Sequence, residues 1–257
     1  MQTEHSDAGT EDQSGKLASG FTLRAAQDRG KADFGWLKSS HSFSFGSYYD
    51  PAHMGFGALR VINEDWVAAG AGFPAHAHRD AEIFSYVLAG AIEHKDSLGN
   101  GSTVAAGGVQ YMSAGAGVTH SEYNPSTSEP MRLLQVWLLP VLSGLMPRYD
   151  TVMLNPAELD GKLKLFLSPD GRDGSLMSAA PANVYAAKLG QDQQITVTLA
   201  PHHKAWVQVA EGSLSINGVA LTQGDGLSIS EGGRVEFSSG ESAHVLYFEV
   251  FDSPGQS

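Results

Sequence analysis

The sequence predicts an all-β protein with two barrel-like domains arranged one after the other along the chain. Three observations support this fold class. The 257 residues include 30 glycines and 11 prolines but only 17% charged residues, a balance that suits short strands and tight turns. Runs of β-branched and aromatic residues recur between Gly, Pro and Asn. The second half of the chain also repeats features of the first.

Four segments follow one another in this prediction. The small, polar residues 1–20 predict a disordered tail. Residues 21–140 predict the N-terminal barrel, with strand-like runs at 59–62, 82–88 and 133–139. Residues 141–183, where prolines interrupt the chain, predict a surface linker with little helix beyond one short piece at 156–159. Residues 184–257 predict the C-terminal barrel.

An internal repeat supports the division into two barrels. The stretch 72–78 and the following 84–90 resemble 199–203 and the following 205–212. Further along, 108–113 resembles 226–230. Two copies of one barrel-like unit account for the length of the chain.

Composition excludes several partners and sites. The net charge of 16 − 28 = −12 repels phosphate backbones, and no basic patch compensates, so we expect no direct nucleic-acid partner. The lack of cysteine excludes disulfides and thiolate metal sites. No run approaches the roughly 20 apolar residues of a membrane helix, and no signal-peptide pattern opens the chain. We therefore expect a cytoplasmic protein without a membrane partner.

Two short strings point to a metal site in the first barrel. Residues i and i+2 of a strand face the same side, so His76 and His78 would enter the barrel together, with Ala77 facing away. Further along the chain, His120 and Glu122 repeat the spacing. Burying such groups without partners costs roughly 1–3 kcal/mol each, and a divalent cation removes that cost.

The donor set leaves the identity of the metal open between Fe, Mn, Ni, Cu and Zn. Four protein ligands on an octahedral ion leave two positions for substrate or dioxygen. The same four on a tetrahedral zinc ion would close the site and make it structural, although structural zinc sites usually include cysteine.

Several strings resemble those of a known family. A stretch from Gly70 to Gly90 is similar to the first cupin motif, and residues 108–124 approximate the second. With these, the chain over about residues 21–250 resembles the pirin family of bicupins. The more specific matching strings are Phe34-Gly-Trp-Leu37, His41-Ser-Phe-Ser-Phe45, Tyr48-Tyr-Asp-Pro51, His76-Ala-His-Arg-Asp80, Glu93-His-Lys-Asp96, Ser113-Ala-Gly-Ala-Gly117 and His120-Ser-Glu-Tyr-Asn124.

The resemblance implies two jelly-roll-like barrels with a metal, usually iron, in the N-terminal barrel alone. The family's ligand positions carry over onto His76, His78, His120 and Glu122, which predicts one divalent ion per chain, Fe(II) first and Mn, Ni, Cu or Zn as alternatives. Bacterial members resembling this chain are associated with quercetin 2,3-dioxygenase activity. Eukaryotic members are associated with iron-dependent regulation of transcription-factor binding.

Two functional hypotheses follow. The first is a dioxygenase that opens the ring of quercetin-like flavonols with O2, with Glu122 as the catalytic base that takes the substrate's hydroxyl proton. The second is an iron-binding, redox-sensing regulator that acts through a protein partner. In the first hypothesis, Phe43, Phe45 and Met54 are candidates to line an apolar substrate pocket, although all three could equally be core residues.

Other polar residues are assigned supporting or structural roles. Glu82 takes the place where many cupins have a glutamate ligand; we expect it to orient a ligating imidazole or to be structural. His202 and His203 are adjacent and would face opposite sides of a strand. His244 has Leu246, not an acidic residue, two positions on. We therefore expect a C-terminal barrel without a metal site.

Overall fold

The structure, a computed structural model, describes residues 19–251 and is nearly all β. Within this range no helix has the length and apolar character that a membrane crossing requires. The strands up to residue 153 are β1 (Phe21–Arg24), β2 (Gly30–Asp33), β3 (Leu37–His41), β4 (Leu59–Val67), β5 (Gly72–His78), β6 (Glu82–Ala89), β7 (Ala91–Asp96), β8 (Gly101–Ala105), β9 (Gly108–Ser113), β10 (Val118–Tyr123), β11 (Met131–Leu138) and β12 (Arg148–Met153).

The remaining strands belong to the second half of the chain. They are β13 (Lys164–Ser168), β14 (Leu176–Met177), β15 (Ala182–Leu189), β16 (Gln194–Leu199), β17 (Lys204–Ile216), β18 (Val219–Thr222), β19 (Gly226–Ile229), β20 (Gly233–Ser238) and β21 (Ala243–Val250). The helical pieces are α1 (Pro156–Leu159) and two 3-10 turns, Ala26–Asp28 and Arg172–Gly174. The all-β prediction is confirmed, as are the strand runs now seen in β4, β6 and β11 and the short helix at α1.

Two sheets form the first barrel. Seven strands in the order β12-β9-β6-β11-β4-β3-β2 make one sheet, and β5-β10-β7-β8 make the other. Side chains alternate across the strands, so β6 sends Ser85 into the barrel and Phe84 and Tyr86 out of its back. The four-stranded sheet carries the histidines predicted to bind metal.

The second barrel consists of a ten-stranded sheet in which β17 is long enough to pair on both faces of the fold. Its first half pairs with β19 and β21, and its end pairs with β18 and β20. The interior contains apolar side chains such as Leu214, Ile216, Val235 and Phe237.

The two barrels pack back to back through their larger sheets. Phe84 and Tyr86 from β6 belong to one buried cluster with Trp206 and Phe248 from the second barrel. Polar contacts cross the same interface: Tyr86 Oη lies 2.8 Å from His244 Nε2. Burial of aromatic side chains on both sides makes the interface a continuous core.

The structure differs from the predicted surface linker at 141–183. The strand β12 joins the first barrel by pairing with β9, and β13 joins the second by pairing with β15. Leu154, Leu159 and Phe166 are buried in the core between the barrels. Prolines break this segment into short pieces, but the apolar residues between them are sufficient to pair and pack.

The structure also differs from the predicted start of the first barrel at residue 21. The strand β1 pairs antiparallel with β19, so residues 21–24 extend the sheet of the second barrel and not of the first. This pairing covers an edge that β19 would otherwise expose. The predicted tail over 1–20 lies, up to residue 18, outside the described residues.

Candidate metal centre

Neighbouring strands bring the predicted ligands together. The strands β5 and β10 pair antiparallel, with His120 opposite His76 and Val118 opposite His78. His120 and Glu122 are buried inside the barrel, whereas His76 and His78 are partly exposed towards its opening. The alternation of side chains along both strands therefore delivers the four residues to one face, as the sequence predicts.

A bulge sets the spacing of these strands. His120 is opposite His76 but Glu122 is opposite Phe73, so β5 has one extra residue over this interval. Pro74 lies within the bulge, where its missing N–H breaks the ladder. Next to it, a Cβ on Gly72 would lie 2.2 Å from the carbonyl oxygen of Glu122, so only glycine allows this close approach.

Three imidazoles converge at this point. The Nε2 atoms of His76 and His120 are 3.1 Å apart, and the ligand nitrogens of His76, His78 and His120 all lie within 4.8 Å of one another. Two nitrogens that bind one ion at a right angle, each about 2.1 Å from it, would be about 3.0 Å apart. His76 Nδ1 donates to the carbonyl of Pro74 at 2.8 Å, which leaves Nε2 free. The donor set fits a divalent transition metal.

Glu122 lies deeper than the three histidines. Its oxygens join a second group of donors within 4.8 Å, with His120 and His94, but they do not join His76 and His78 within that limit. The amide nitrogens of Gln110 and Gln135 donate to its two oxygens at 2.6 and 3.1 Å. Within residues 19–251 none of the ion pairs involves Glu122, so a bound cation would supply its counter-charge.

Burial sets the protonation of these groups. Burial, together with the neighbouring His76, lowers the pKa of His78 to about 4. Burial and the surrounding imidazoles lower the pKa of His120 to about 3. Neutral imidazole is the form that binds metal. Burial raises the pKa of Glu122 to about 7, with a further contribution from the Asp65 carboxyl; a nearby cation would favour the ionised form.

A cavity of about 460 Å³ opens against the histidines. His76 and His78 line it, and its walls carry Phe45, Trp36 and Trp137. The indole of Trp137 meets the ring of His78 edge to face at 4.8 Å and that of Phe45 at 5.5 Å. The cavity is thus aromatic on the side where the imidazoles are exposed, as small-molecule sites commonly are.

Of the three residues predicted for the pocket, Phe45 alone lines this cavity. Phe43 instead packs on Trp206 with a centroid distance of 4.8 Å, as part of the core between the barrels. Met54 is 42% exposed and lies outside the cavity lining. Phe43 thus takes the core role that the sequence left open, whereas Met54 takes neither of its two predicted roles.

Glu82 lies away from the histidines. It accepts hydrogen bonds from Tyr111, from Ser113 Oγ at 2.7 Å, from Ser178 Oγ at 3.1 Å and from the backbone N–H of Ala179 at 3.2 Å. None of these donors is a histidine. The structure therefore gives Glu82 the structural one of its two predicted roles, joining β9 to the segment that leads into the second barrel.

Sequence reasoning missed four residues that surround the predicted ligands. Gln110 and Gln135 hold the Glu122 carboxylate, His94 lies against His120, and Trp137 covers His78. A usable signal existed for His94 alone, because His94 and Asp96 repeat the i, i+2 spacing seen at His76 and His120.

The histidines of the second barrel have other partners. His202 occupies a turn with φ of +66°, and His203 Nδ1 lies 2.7 Å from Glu249 Oε1. His244 faces Tyr86 across the interface. The two groups of metal-type donors found within residues 19–251 both lie in the first barrel.

Two packed barrels, one of them with converging histidine donors, define a bicupin with a candidate divalent-metal site. The family profile of pirin matches residues 22–138, and that of the quercetinase C-terminal cupin domain matches residues 165–250. The chain belongs to the pirin family.

Relatives share nearly the whole chain. A quercetin 2,3-dioxygenase of Escherichia coli K12 is 46% identical, over 89% of this chain and 97% of its own length. A pirin-like protein of Caulobacter vibrioides is 39% identical, over 86% and 95%. The crystal structure of the bacterial pirin YhhW of Escherichia coli in complex with nickel(II) is 44% identical and covers 91% of this chain and all of its own, with a TM-score of 0.86.

Proposed function

We propose that the protein is a pirin-type, metal-dependent dioxygenase that opens the ring of quercetin-like flavonols with O2. The observation that carries this proposal is the exposure of two imidazole donors, His76 and His78, to an aromatic cavity of about 460 Å³. That arrangement suits a flat, hydroxylated aromatic substrate. The relative of Escherichia coli K12 that is named quercetin 2,3-dioxygenase, at 46% identity, supports the same chemistry.

The proposed ligands are His76, His78, His120 and Glu122, with one divalent ion per chain. Fe(II) is the proposed metal because iron is usual in the family, although the nickel(II) complex of a related bacterial pirin shows that another divalent ion binds that protein. When bound, such an ion supplies a Lewis acid that lowers the pKa of a substrate hydroxyl. His76 and His78, which line the cavity, would present the ion to it, and His120 and Glu122 would hold the ion from the barrel interior.

The aromatic walls of the cavity position the substrate. Trp137 and Phe45 meet edge to face, and Trp36 and Phe73 form a second such pair with a centroid distance of 5.3 Å. A flat ring bound between these walls displaces water from the apolar surface. Exclusion of water also protects a reactive ring from side reactions.

Glu122 is the proposed base that accepts the proton of the substrate's hydroxyl. Its carboxylate lies within 4.8 Å of a ring nitrogen of His120, next to the proposed metal position. Gln110 and Gln135 each donate to one carboxylate oxygen, which fixes the direction in which the remaining lone pairs point. The other proposed partners are O2 and the flavonol-like substrate. The cytoplasm is the proposed compartment, because a chain without cysteine suits a reducing environment.

Oxygen uptake with quercetin tests this proposal. The purified protein is loaded in turn with Fe(II), Mn(II), Ni(II), Cu(II) and Zn(II), beside the variants His76→Ala and Glu122→Ala. The matched control is His203→Ala, which removes a histidine from the second barrel. We expect uptake with a redox-capable metal, loss of uptake in both site variants, and unchanged uptake in the control.

The alternative outcome is equally defined. A protein that binds one ion per chain but consumes no oxygen with any of the five metals contradicts the dioxygenase proposal. That result would favour the second hypothesis, an iron-binding regulator that acts through a protein partner.

A further inference from the structure

A buried histidine lies directly behind a proposed ligand. His94 on β7 has no exposed surface, and its Nδ1 is 3.4 Å from Nδ1 of His120. His120 turns its other nitrogen, Nε2, towards His76. The Nδ1 atom of His120 therefore points away from the proposed metal position and into a contact with His94.

The same histidine contacts a buried carboxylate on its far side. His94 Nε2 lies 3.3 Å from Asp96 Oδ2, and the side chain of Asp96 is 1% exposed. Asp96 is held in turn by the backbone N–H groups of Leu98 and Asn100, at 2.9 and 3.0 Å, and by the Asn100 amide at 2.9 Å. Tyr149 stacks on the His94 ring at 4.2 Å and restricts its rotation.

The neighbouring amide of Gln110 fixes the position of each proton. Gln110 Nε2 is 2.6 Å from Glu122 Oε1 and 3.3 Å from His94 Nδ1, and an amide nitrogen only donates. His94 Nδ1 is therefore an acceptor, and the proton of His94 is on Nε2, where it is donated to Asp96. The reversed amide would place its oxygen against the Glu122 carboxylate. His120 must then carry its proton on Nδ1, which leaves Nε2 with a free lone pair.

A second metal position is the competing interpretation of this cluster, because His94, His120 and Glu122 offer donor atoms within 4.8 Å of one another. The contacts of Gln110 disfavour it. Gln110 directs its amide N–H groups at His94 Nδ1 and Glu122 Oε1, and His94 Nδ1 shares its one lone pair between Gln110 and His120. A cation bound there would meet the N–H groups of the Gln110 amide, unless that amide moved away.

We propose that His94 and Asp96 are positioning residues for the metal centre, forming a hydrogen-bonded chain from Asp96 through His94 to His120. The chain holds His120 in the tautomer and ring orientation that present Nε2 to the ion, and the carboxylate makes the imidazole a stronger donor. The inference rests on the metal position proposed above. It assigns a role to two residues that do not bind the ion themselves.

Two measurements test this hydrogen-bonded arrangement of Asp96, His94 and His120, and neither depends on enzyme activity. The first is the dissociation constant for Ni(II), measured in competition with a chelator. We expect His94→Leu, an apolar replacement, to weaken Ni(II) binding about 10- to 100-fold, and His94→Gln, which can still accept from His120, to weaken it less. The matched control is Glu249→Gln, which alters the 2.7 Å pair with His203 in the second barrel, and its binding should stay within about twofold of the wild type.

The second measurement is the tautomer of His120, observed by ¹⁵N NMR in the metal-free protein with ¹⁵N-labelled histidine. The hydrogen bonds from Asp96 through His94 to His120 predict a protonated Nδ1 and an unprotonated Nε2 in His120. Because this measurement uses the wild-type protein, it remains valid even if the His94→Leu variant misfolds. The opposite tautomer, wild-type Ni(II) affinity in a folded His94→Leu variant, or two Ni(II) ions per chain would each overturn the proposal. A wild-type protein that binds no Ni(II) would refute the metal site itself, whereas binding without oxygen uptake would refute only the proposed activity.

Discussion

The two barrels share one strand arrangement but fill it differently. In the first barrel β5, β10, β7 and β8 pair in that order, and in the second β16, β20, the end of β17 and β18 do the same. The inward positions of the first set carry histidines and a glutamate. Those of the second set carry aliphatic and aromatic side chains that form a closed core.

The pairing registers match these positions one by one. His120 is opposite His76, as Val235 is opposite Val197. Glu122 is opposite His94, as Phe237 is opposite Ile216. By the same register, Leu199 takes the place of His78. Each donor of the first barrel has an apolar counterpart in the second.

The barrel geometry alone therefore does not make a metal site. The strands bring five inward positions together in both domains, and the side chains at those positions decide between a core and a donor cluster. Apolar residues contribute stability by excluding water and filling space. Donor residues give up that contribution, so in this chain stability should depend on the second barrel and metal binding on the first.

The largest expected effect comes from Phe237, the counterpart of Glu122. Phe237→Ala should lower the free energy of unfolding by roughly 3–5 kcal/mol, because it opens a cavity in a closed core. Glu122→Gln keeps the volume and one oxygen for the surrounding amides, so in metal-free protein it should change stability by less than about 1.5 kcal/mol. Urea unfolding in the presence of EDTA measures both values.

Metal binding should show the reverse pattern. Folded Phe237→Ala protein should bind Ni(II) as the wild type does, and Glu122→Gln protein should bind it at least about 100-fold more weakly, which corresponds to about 2.7 kcal/mol. Equal stability losses at the two positions, or loss of Ni(II) binding in folded Phe237→Ala protein, would contradict this division of roles between the barrels.

A smaller effect is expected where the two barrels meet. Arg132 donates to Glu64 Oε1 at 2.7 Å in the first barrel and to the Ala210 carbonyl at 2.6 Å in the second. Arg132→Met should cost roughly 3 kcal/mol, because it leaves buried acceptors without one donor while Arg29 still pairs with Glu64 at 2.7 Å. Differential scanning calorimetry measures the loss and shows whether the barrels then unfold separately.

The control for this interface is a solvent-exposed ion pair on the surface of the second barrel. Arg234 lies 2.7 Å from Glu236, and its side chain is 69% exposed. Arg234→Met should change stability by at most about 1 kcal/mol. A loss at Arg132 no greater than that at Arg234 would mean that the buried contacts do not couple the two barrels.

The last prediction is a pH dependence of stability at His244. Burial, with Lys188 and Arg132 nearby, lowers the pKa of His244 to about 3 in the folded protein. The unfolded chain takes up this proton near pH 6.5, so the group's contribution to stability is complete above that pH and is lost as the pH falls towards 3. The slope contributed by one such group is at most about 1.4 kcal/mol per pH unit.

His244→Gln keeps an oxygen that can accept from Tyr86 and removes the titration. Unfolding in urea between pH 6.5 and 4 should therefore show a shallower loss of stability in the variant than in the wild type. Parallel curves would mean that the pKa of His244 is not lowered in the folded protein.

The sequence predicted what depends on local alternation. The i, i+2 spacing is enough to place His76 beside His78 and His120 beside Glu122 on one face, and the β-rich runs give strands where they were predicted. The fold class also follows, because short apolar runs and turn residues recur along the chain. These features need no knowledge of which strands become neighbours.

The remainder depends on strand pairing and register, which are set by distant parts of the chain. Pairing of β7 with β10 brings His94 against His120, and the bulge at Pro74 places Glu122 opposite Phe73. The internal repeat is also offset from its predicted position, because β16, and not the segment with His202 and His203, is the counterpart of β5. The strands within residues 141–183 were not predicted, because the prolines that separate them are typical of a linker.

The most direct test of the central claim is to locate the metal. Crystals of the protein loaded with Ni(II) would be measured on both sides of the nickel absorption edge, and the anomalous difference map would be calculated. We expect one peak per chain, in the first barrel, within bonding distance of Nε2 of His76 and His120 and of a ring nitrogen of His78. A peak inside the second barrel, or a fully loaded protein without a peak at these histidines, would contradict it.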